Sequence, residues 1–126
     1  MSRNNLDFSR SGEAAAADFL KARGYKIIEQ NYRTSLGEID IIARDKDTYC
    51  FVEVKTRRTE EFGLPQEAVS KFKQRQISKT ALLFLKENLL LDKSARFDVV
   101  SIMYAKEPPQ ISLIKDAFDL DESFTL

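Results

Sequence analysis

Between residues 25 and 56 three strand-like runs follow one another with only short turns between them, which restricts the chain to folds built around an antiparallel meander. Tyr25 to Arg33 is the first run, Gly37 to Arg44 the second and Tyr49 to Thr56 the third. Thr34-Ser35-Leu36 and Asp45-Lys46-Asp47 supply the turns. A helix is predicted before them, from Ser9 or Ser11 to Arg23, because Ala14 to Ala17, Phe19 and Leu20 form an apolar face and Gly24 follows as a C-terminal cap. After the meander the chain is polar from Arg57 to Pro65 and reads as a surface loop. A second helix is predicted from an N-cap at Ser70 to about Leu90, with a stripe of Ile77, Ala81, Phe84 and Leu85. Ala95 to Ala105 reads as a strand, Pro108-Pro109 breaks it, and Gln110 to Ile114 reads as a short last strand. The acidic tail after Lys115 is expected to fray. The order α-β-β-β-α-β-β predicts one α/β domain with a mixed sheet, its core spanning about residues 9–115.

The chain has 126 residues, which suits one domain that buries roughly two-thirds of the surface its unfolded form exposes. Nothing approaches the ~18 apolar residues of a membrane span. The N-terminal Met1 to Glu13 stretch has no apolar h-region, so a cytoplasmic location is expected. With no histidine, neither a Ser-His-Asp triad nor a His-ligated zinc site can be built. One cysteine, Cys50, permits no internal disulfide, and it reads as a small buried hydrophobe. Four scattered glycines do not make a phosphate-cradling loop. Carboxylate, lysine and hydroxyl chemistry remains, with or without a hard metal ion.

Charge balances at 20 Lys+Arg against 20 Asp+Glu, but unevenly along the chain. From Lys106 onward two bases meet five acids, a net of −3, which leaves +3 on residues 1–105. A basic cluster gathers Lys55, Arg57, Arg58, Lys71, Lys73, Arg75 and Lys79. Such a cluster is as often solvated surface as a polyanion contact.

Alternation along the second run puts Glu38, Asp40 and Ile42 on one face and Ile39, Ile41 and Ala43 on the other. On the third run Glu53 and Lys55 share the face of Phe51. If Asp40 and the Glu53–Lys55 pair meet on the same face, carboxylates and an ammonium lie together among apolar neighbours, where charge is costly unless paired or metal-bound. On the first helix Glu13 precedes Ala16, Ala17 and Leu20 by three, four and seven residues, so it shares their inward stripe. Taken singly, each of these has an ordinary explanation: a Glu-x-Lys cross-strand ion pair, a hairpin surface acid, a helix first-turn acid. Together they match the needs of phosphodiester hydrolysis. Carboxylates and the Val54 carbonyl can hold Mg²⁺ or Mn²⁺, and a lysine can orient hydroxide or stabilise the oxyanion.

The motifs Gly12-Glu13, Gly24-Tyr25 with Asn31-Tyr32-Arg33, Gly37-Glu38-Ile39-Asp40, Phe51 to Arg57, Phe62-Gly63, Lys71 and Arg96-Phe97-Asp98 are similar to those of the YraN-like family of predicted endonucleases. That family resembles archaeal Holliday-junction resolvases and the wider PD-(D/E)XK superfamily, which implies a restriction-endonuclease-like fold. The resemblance further implies Asp40 and Glu53 as metal ligands, Lys55 as catalytic lysine and Glu13 as an additional acid. Ile39-Asp40 stands where the superfamily has Pro-Asp. Junction resolvases resemble symmetric dimers, so a homodimer is compatible with this reading.

Lys71 and Gln74 open the second helix, where superfamily members often place a Lys or Gln beside the site. Arg57, Arg58, Lys73, Arg75 and Lys79 are candidates for phosphate contacts, against the alternative of a solvated helix face. Arg96 and Asp98 read as a structural ion pair, and Tyr32, Tyr49 and Phe51 as packing. The expected activity is metal-dependent cleavage of nucleic acid, DNA of branched or structured form. The alternatives are a non-catalytic nucleic-acid-binding module and a protein-interaction domain.

Overall fold

A computed structural model describes residues 3–58, 69–105 and 107–120, with backbone only for residues 3–9. Helix α1 (Arg3–Ala22) is followed by β1 (Lys26–Thr34), β2 (Gly37–Asp45) and β3 (Thr48–Arg57), then α2 (Lys71–Glu87), β4 (Ser94–Met103) and β5 (Gln110–Phe118). The five strands form one sheet in sequence order. β1–β2, β2–β3 and β4–β5 pair antiparallel and β3–β4 pair parallel, so the chain crosses the sheet once, through α2. This is the mixed α/β sheet expected from the pattern, and its element order is that of a restriction-endonuclease-like fold.

Each helix covers one face of the sheet. Ala16, Ala17 and Leu20 of α1 pack on Ile41, Ala43, Cys50, Val52, Val100 and Ile102. Ile77, Ala81, Phe84 and Leu85 of α2 pack on Ile39, Ile42, Phe51, Phe97 and Val99. Phe51 lies at the centre of the second layer, with ring centroids 6.0 Å from Phe84 and 5.9 Å from Phe97. Tyr32 meets Phe84 edge-on at 5.4 Å, so the aromatic residues read as packing do pack. Cys50 is buried.

Helix boundaries follow their chemistry. Gly24, with φ +89°, closes α1, and Tyr25 N–H donates to the Leu20 carbonyl at 3.0 Å. Ser70 Oγ accepts from Lys73 N–H at 3.1 Å, the expected N-cap of α2. Three boundaries depart from the sequence reading. α1 begins at Arg3, ahead of Ser9 and Ser11: no proline interrupts residues 3–13, and Gly12 is carried inside the helix. α2 stops at Glu87, short of Leu90, where Leu89 takes a left-handed φ of 58° and Leu90 N–H turns back to the Leu85 carbonyl. β5 continues past Ile114 to Phe118, so residues 116–118 are strand and not a frayed tail. The Phe118 ring stacks on Phe97 at 4.9 Å, and Asp116 N–H donates to Asp98 Oδ1 at 2.9 Å. Residues 121–126 and nearly all of the loop expected from Arg57 to Pro65, with Phe62-Gly63, lie outside the described residues.

The end of the sheet at Asp45 and Arg96 is fastened by a buried ionic network. Arg96 Nε donates to both oxygens of Asp98, at 3.0 and 3.1 Å, and its Nη2 donates to Tyr25 Oη at 2.7 Å and Asp45 Oδ2 at 3.1 Å. Asp98 is fully buried, and every oxygen-bound partner it has is charge-assisted or backbone, which is what an enclosed carboxylate requires. Arg96 and Asp98 are thus the structural pair anticipated.

Gly12 sets how closely α1 approaches β3. A Cβ at this position would lie 2.1 Å from Thr56 Cγ2. Gly12→Ala is therefore expected to destabilise the protein by roughly 1–3 kcal/mol, although alanine is the better helix former by about 1 kcal/mol. Denaturant melts of Gly12→Ala and of Gly12→Ala/Thr56→Ala would check it. The second variant should recover most of the loss, and a Gly12→Ala protein as stable as the parent would exclude the close contact.

Candidate active site

The sheet opens at Asp40. The β2–β3 register runs from Asp45↔Thr48 to Ile41↔Val52, one residue short of Asp40. On the other side of β2, the β1 register steps from Gln30↔Ile41 to Tyr32↔Ile39, passing over Asp40 and Asn31. Asn31 has a left-handed φ of 54°, a conformation asparagine tolerates better than most residues. Ile39 and Ile41, two residues apart, consequently pack into opposite layers. The alternation that put Ile39, Ile41 and Ala43 on one face is thereby corrected: β2 rotates where its ladder is interrupted.

The rotation turns Asp40 towards β3, where its Oδ2 accepts the Val54 N–H at 2.8 Å. A side chain thus replaces the ladder bond that strand pairing would have supplied. N–H and C=O of one strand residue point to the same side, so the Val54 carbonyl faces the same opening. A cavity of about 190 Å³ forms there, lined by Glu13, Glu38, Asp40, Glu53, Val54, Lys55, Thr56 and Lys73. Its walls come from both layers, since Glu13 arrives from α1 and Lys73 from α2.

Burial governs the electrostatics. Glu53 is only 3% exposed and Asp40 9%. Enclosure, with the Asp40 charge next in weight, pushes the Glu53 carboxyl up to about 7 despite the opposing pull of Lys73. Asp40 is raised by burial, partly offset by the Val54 N–H. Glu13 is also raised, by burial and then by Asp40, while a hydrogen bond from Asn31 works the other way. Lys55 is lowered by burial and by the neighbouring Lys73 ammonium. Burial also acts against the charge on Lys73, but contact with Glu53 outweighs it and its pKa rises. Three acids held above their ordinary range in one cavity form a site short of positive charge.

Of the anticipated catalytic and ligating residues, the structure brings Glu13, Asp40, Glu53, Val54 and Lys55 together. Oxygen donors of this kind suit a hard divalent ion, Mg²⁺ or Mn²⁺. Among the described residues, however, no three acidic side chains converge as a ready-made metal cage. The positions expected to contact phosphate divide. Arg58, Lys71, Arg75 and Lys79 are exposed, whereas Arg57, at 7% exposure, is buried at the end of β3. Gln74 donates its side-chain N–H to the Val69 carbonyl at 2.9 Å. Lys73 belongs to the cavity itself, where Nζ is ion-paired with Glu53 Oε1. Its place was readable, since it precedes Ile77 by four residues and extends the inward stripe of α2. Glu38 and Thr56 also line the cavity, with Glu38 paired to the exposed Arg33 at 3.1 Å.

A mixed sheet between two helices, opened at an Asp–Glu–Lys constellation, defines a restriction-endonuclease-like α/β domain. Comparison with known sequences gives the family. The sequence profile of the family described as "Uncharacterised protein family UPF0102" matches residues 12–102, and the chain belongs to that family, the YraN-like one. It is 54% identical over 118 residues to a UPF0102 protein of Geotalea uraniireducens, covering 93% of both chains. It is 51% identical over 120 residues to a UPF0102 protein of Geobacter metallireducens, covering 95% of this chain and 98% of the relative. A UPF0102 protein of Syntrophus aciditrophicus is 53% identical over 116 residues. No helix of the described residues is long and apolar enough to cross a membrane.

A carboxyl whose pKa is higher in the folded than in the unfolded chain favours folding while protonated, so its contribution is lost as pH rises through the folded value. In chelator-containing buffer the Tm is therefore expected to fall between about pH 5 and 7.5, the window set by the ordinary Glu value of 4.5 and the raised one of about 7. Glu53→Gln should flatten that slope. An unchanged slope in this variant would show that Glu53 titrates normally.

Proposed function

We propose that this protein is a metal-dependent endonuclease that hydrolyses phosphodiesters of DNA in branched or otherwise structured form. The observation that carries the reading is the convergence of Asp40, Glu53, the Val54 carbonyl and Lys55 at the interruption of the β2–β3 ladder.

Asp40, Glu53 and the Val54 carbonyl would hold Mg²⁺ or Mn²⁺, with Glu13 as a further acid. When bound, the ion supplies a water of lowered pKa and charge neutralisation at the phosphate. Lys55, set between Val54 and Thr56 on the same strand, orients the attacking water and offers its proton donors to the oxyanion that develops. Its lowered pKa reflects a desolvated ammonium, a group whose field is strong because little water screens it. Val54 N–H fixes one Asp40 oxygen and so fixes the ligand's orientation. Exposed Arg58, Lys71, Arg75 and Lys79 offer charge for phosphates on either side of the cut, which gives affinity without base readout.

The reading is tested by incubating end-labelled junction, flap, single-stranded and duplex DNA with Mn²⁺. The parent should cut at least one of them. Asp40→Asn should abolish cutting, and Lys55→Ala should slow it by about 10²–10³-fold, with fold and most DNA affinity retained. Cutting by parent and Asp40→Asn alike would point to a contaminant. The lack of a preassembled carboxylate cage among the described residues favours one other reading, a non-catalytic nucleic-acid-binding module. Salt-sensitive binding by a folded parent that cuts nothing would select it.

A further inference from the structure

Lys73 places an ammonium on Glu53 Oε1, one of the oxygens that the proposed function assigns to a divalent cation. The same ammonium lies in the field of Asp40 and Glu38, and beside Lys55. One carboxylate oxygen cannot accept a short ammonium contact and coordinate a metal along the same direction. Among the described residues, moreover, no three acidic side chains converge as a cage. We propose that Lys73 is an exchangeable counter-ion. It neutralises Glu53 and Asp40 until a divalent ion binds, and it is displaced from Glu53 by that ion.

Three features support exchange over a permanent salt bridge. Lys73 lies in the first turn of α2, one end of a flexible four-carbon stem, and its side chain is half-exposed while Glu53 is enclosed. The enclosed partner stays in place and the accessible one can swing out. A lysine there also runs against the helix dipole, which favours acids in a first turn, and α2 has none. Finally, without Lys73 the cavity would hold the Asp40 and Glu53 carboxylates against Lys55 alone. Lys73 is thus a positioning residue: it offsets part of the acids' negative charge and holds the Glu53 carboxylate in a protein waiting for metal, and once displaced it is an ammonium beside Lys55 at the mouth of the cavity.

This inference rests on the proposed metal site, and its test is arranged so that the two can fail separately. Mn²⁺ affinity of the full chain is measured by isothermal titration calorimetry at constant pH for the parent, Lys73→Met and Lys73→Arg. Removing the competitor should tighten Mn²⁺ binding in Lys73→Met by about tenfold, the factor for an interaction of about 1.4 kcal/mol, while Lys73→Arg stays at or below the parent. Lys73→Met should also gain more in Tm on adding Mn²⁺ than the parent does. Lys73→Gln replaces Lys73→Met if the latter does not fold, because glutamine keeps a hydrogen bond to Glu53 without the charge. Equal or weaker Mn²⁺ binding in the neutral variant overturns the proposal. No Mn²⁺ binding by any of these proteins overturns it together with the metal site. The expected order of affinities with no DNA cleavage by the parent upholds the exchange and removes the nuclease reading alone.

Discussion

The hydrogen bond from Val54 N–H to Asp40 Oδ2 is the contact on which the rest of the site depends. A sheet interrupted in its interior leaves strand donors and acceptors unpaired, and each unpaired buried group costs on the order of 1–3 kcal/mol. Here the interruption is closed by a carboxylate. Asp40 therefore has two tasks in one position: it satisfies a backbone donor and presents negative charge to the cavity. The rotation of β2 that brings this about also separates Ile39 from Ile41 and lets each helix layer contribute to one cavity. Were the ladder continuous, Glu13 and Lys73 would face opposite sides of a closed sheet.

Much of this was legible in the chain. Strand-length runs with short turns fixed the meander, and the stripe of α2 and the alanine face of α1 fixed which helix surface is buried. Periodicity placed Glu53 and Lys55 on the face of Phe51 and Glu13 on the inward stripe of α1, and the family resemblance was what implied their roles. The departure at Ile39 could not, because alternation assumes an unbroken ladder, and nothing in Gly-Glu-Ile-Asp announces that pairing stops there. The extension of β5 was hidden for a different reason. Its acidic residues resemble a solvated tail, and only the stacking of Phe118 on Phe97 and the bond from Asp116 to Asp98 hold it in the sheet. Lys73 was visible as a stripe position but was grouped by its charge with its exposed basic neighbours. Position on the helix was the better guide.

The two ends of the sheet handle enclosed charge in opposite ways. Around Arg96 and Asp98 the charges are matched, Arg96 and Lys115 against Asp98 and Asp45, and the hydrogen bonds of Arg96 and Asp98 run also to Tyr25 and the Asp116 backbone. At the opening, four carboxylates face two lysines, and the three most affected acids are held above their usual range. The matched end leaves little charge unbalanced, whereas the unmatched end keeps an excess of negative charge. A net formal charge of zero conceals both, because it sums over regions with separate roles.

An amide held by a side chain reports on that side chain. The Val54 N–H is bonded to a titratable side-chain carboxylate where its strand neighbours pair with the backbone of β4. Whatever draws Asp40 away loosens that one proton while the adjoining parallel ladder stays intact. Its exchange with solvent, followed by amide NMR, thus provides a reporter built into the backbone, one that senses the chemistry of the site without a label or a substrate.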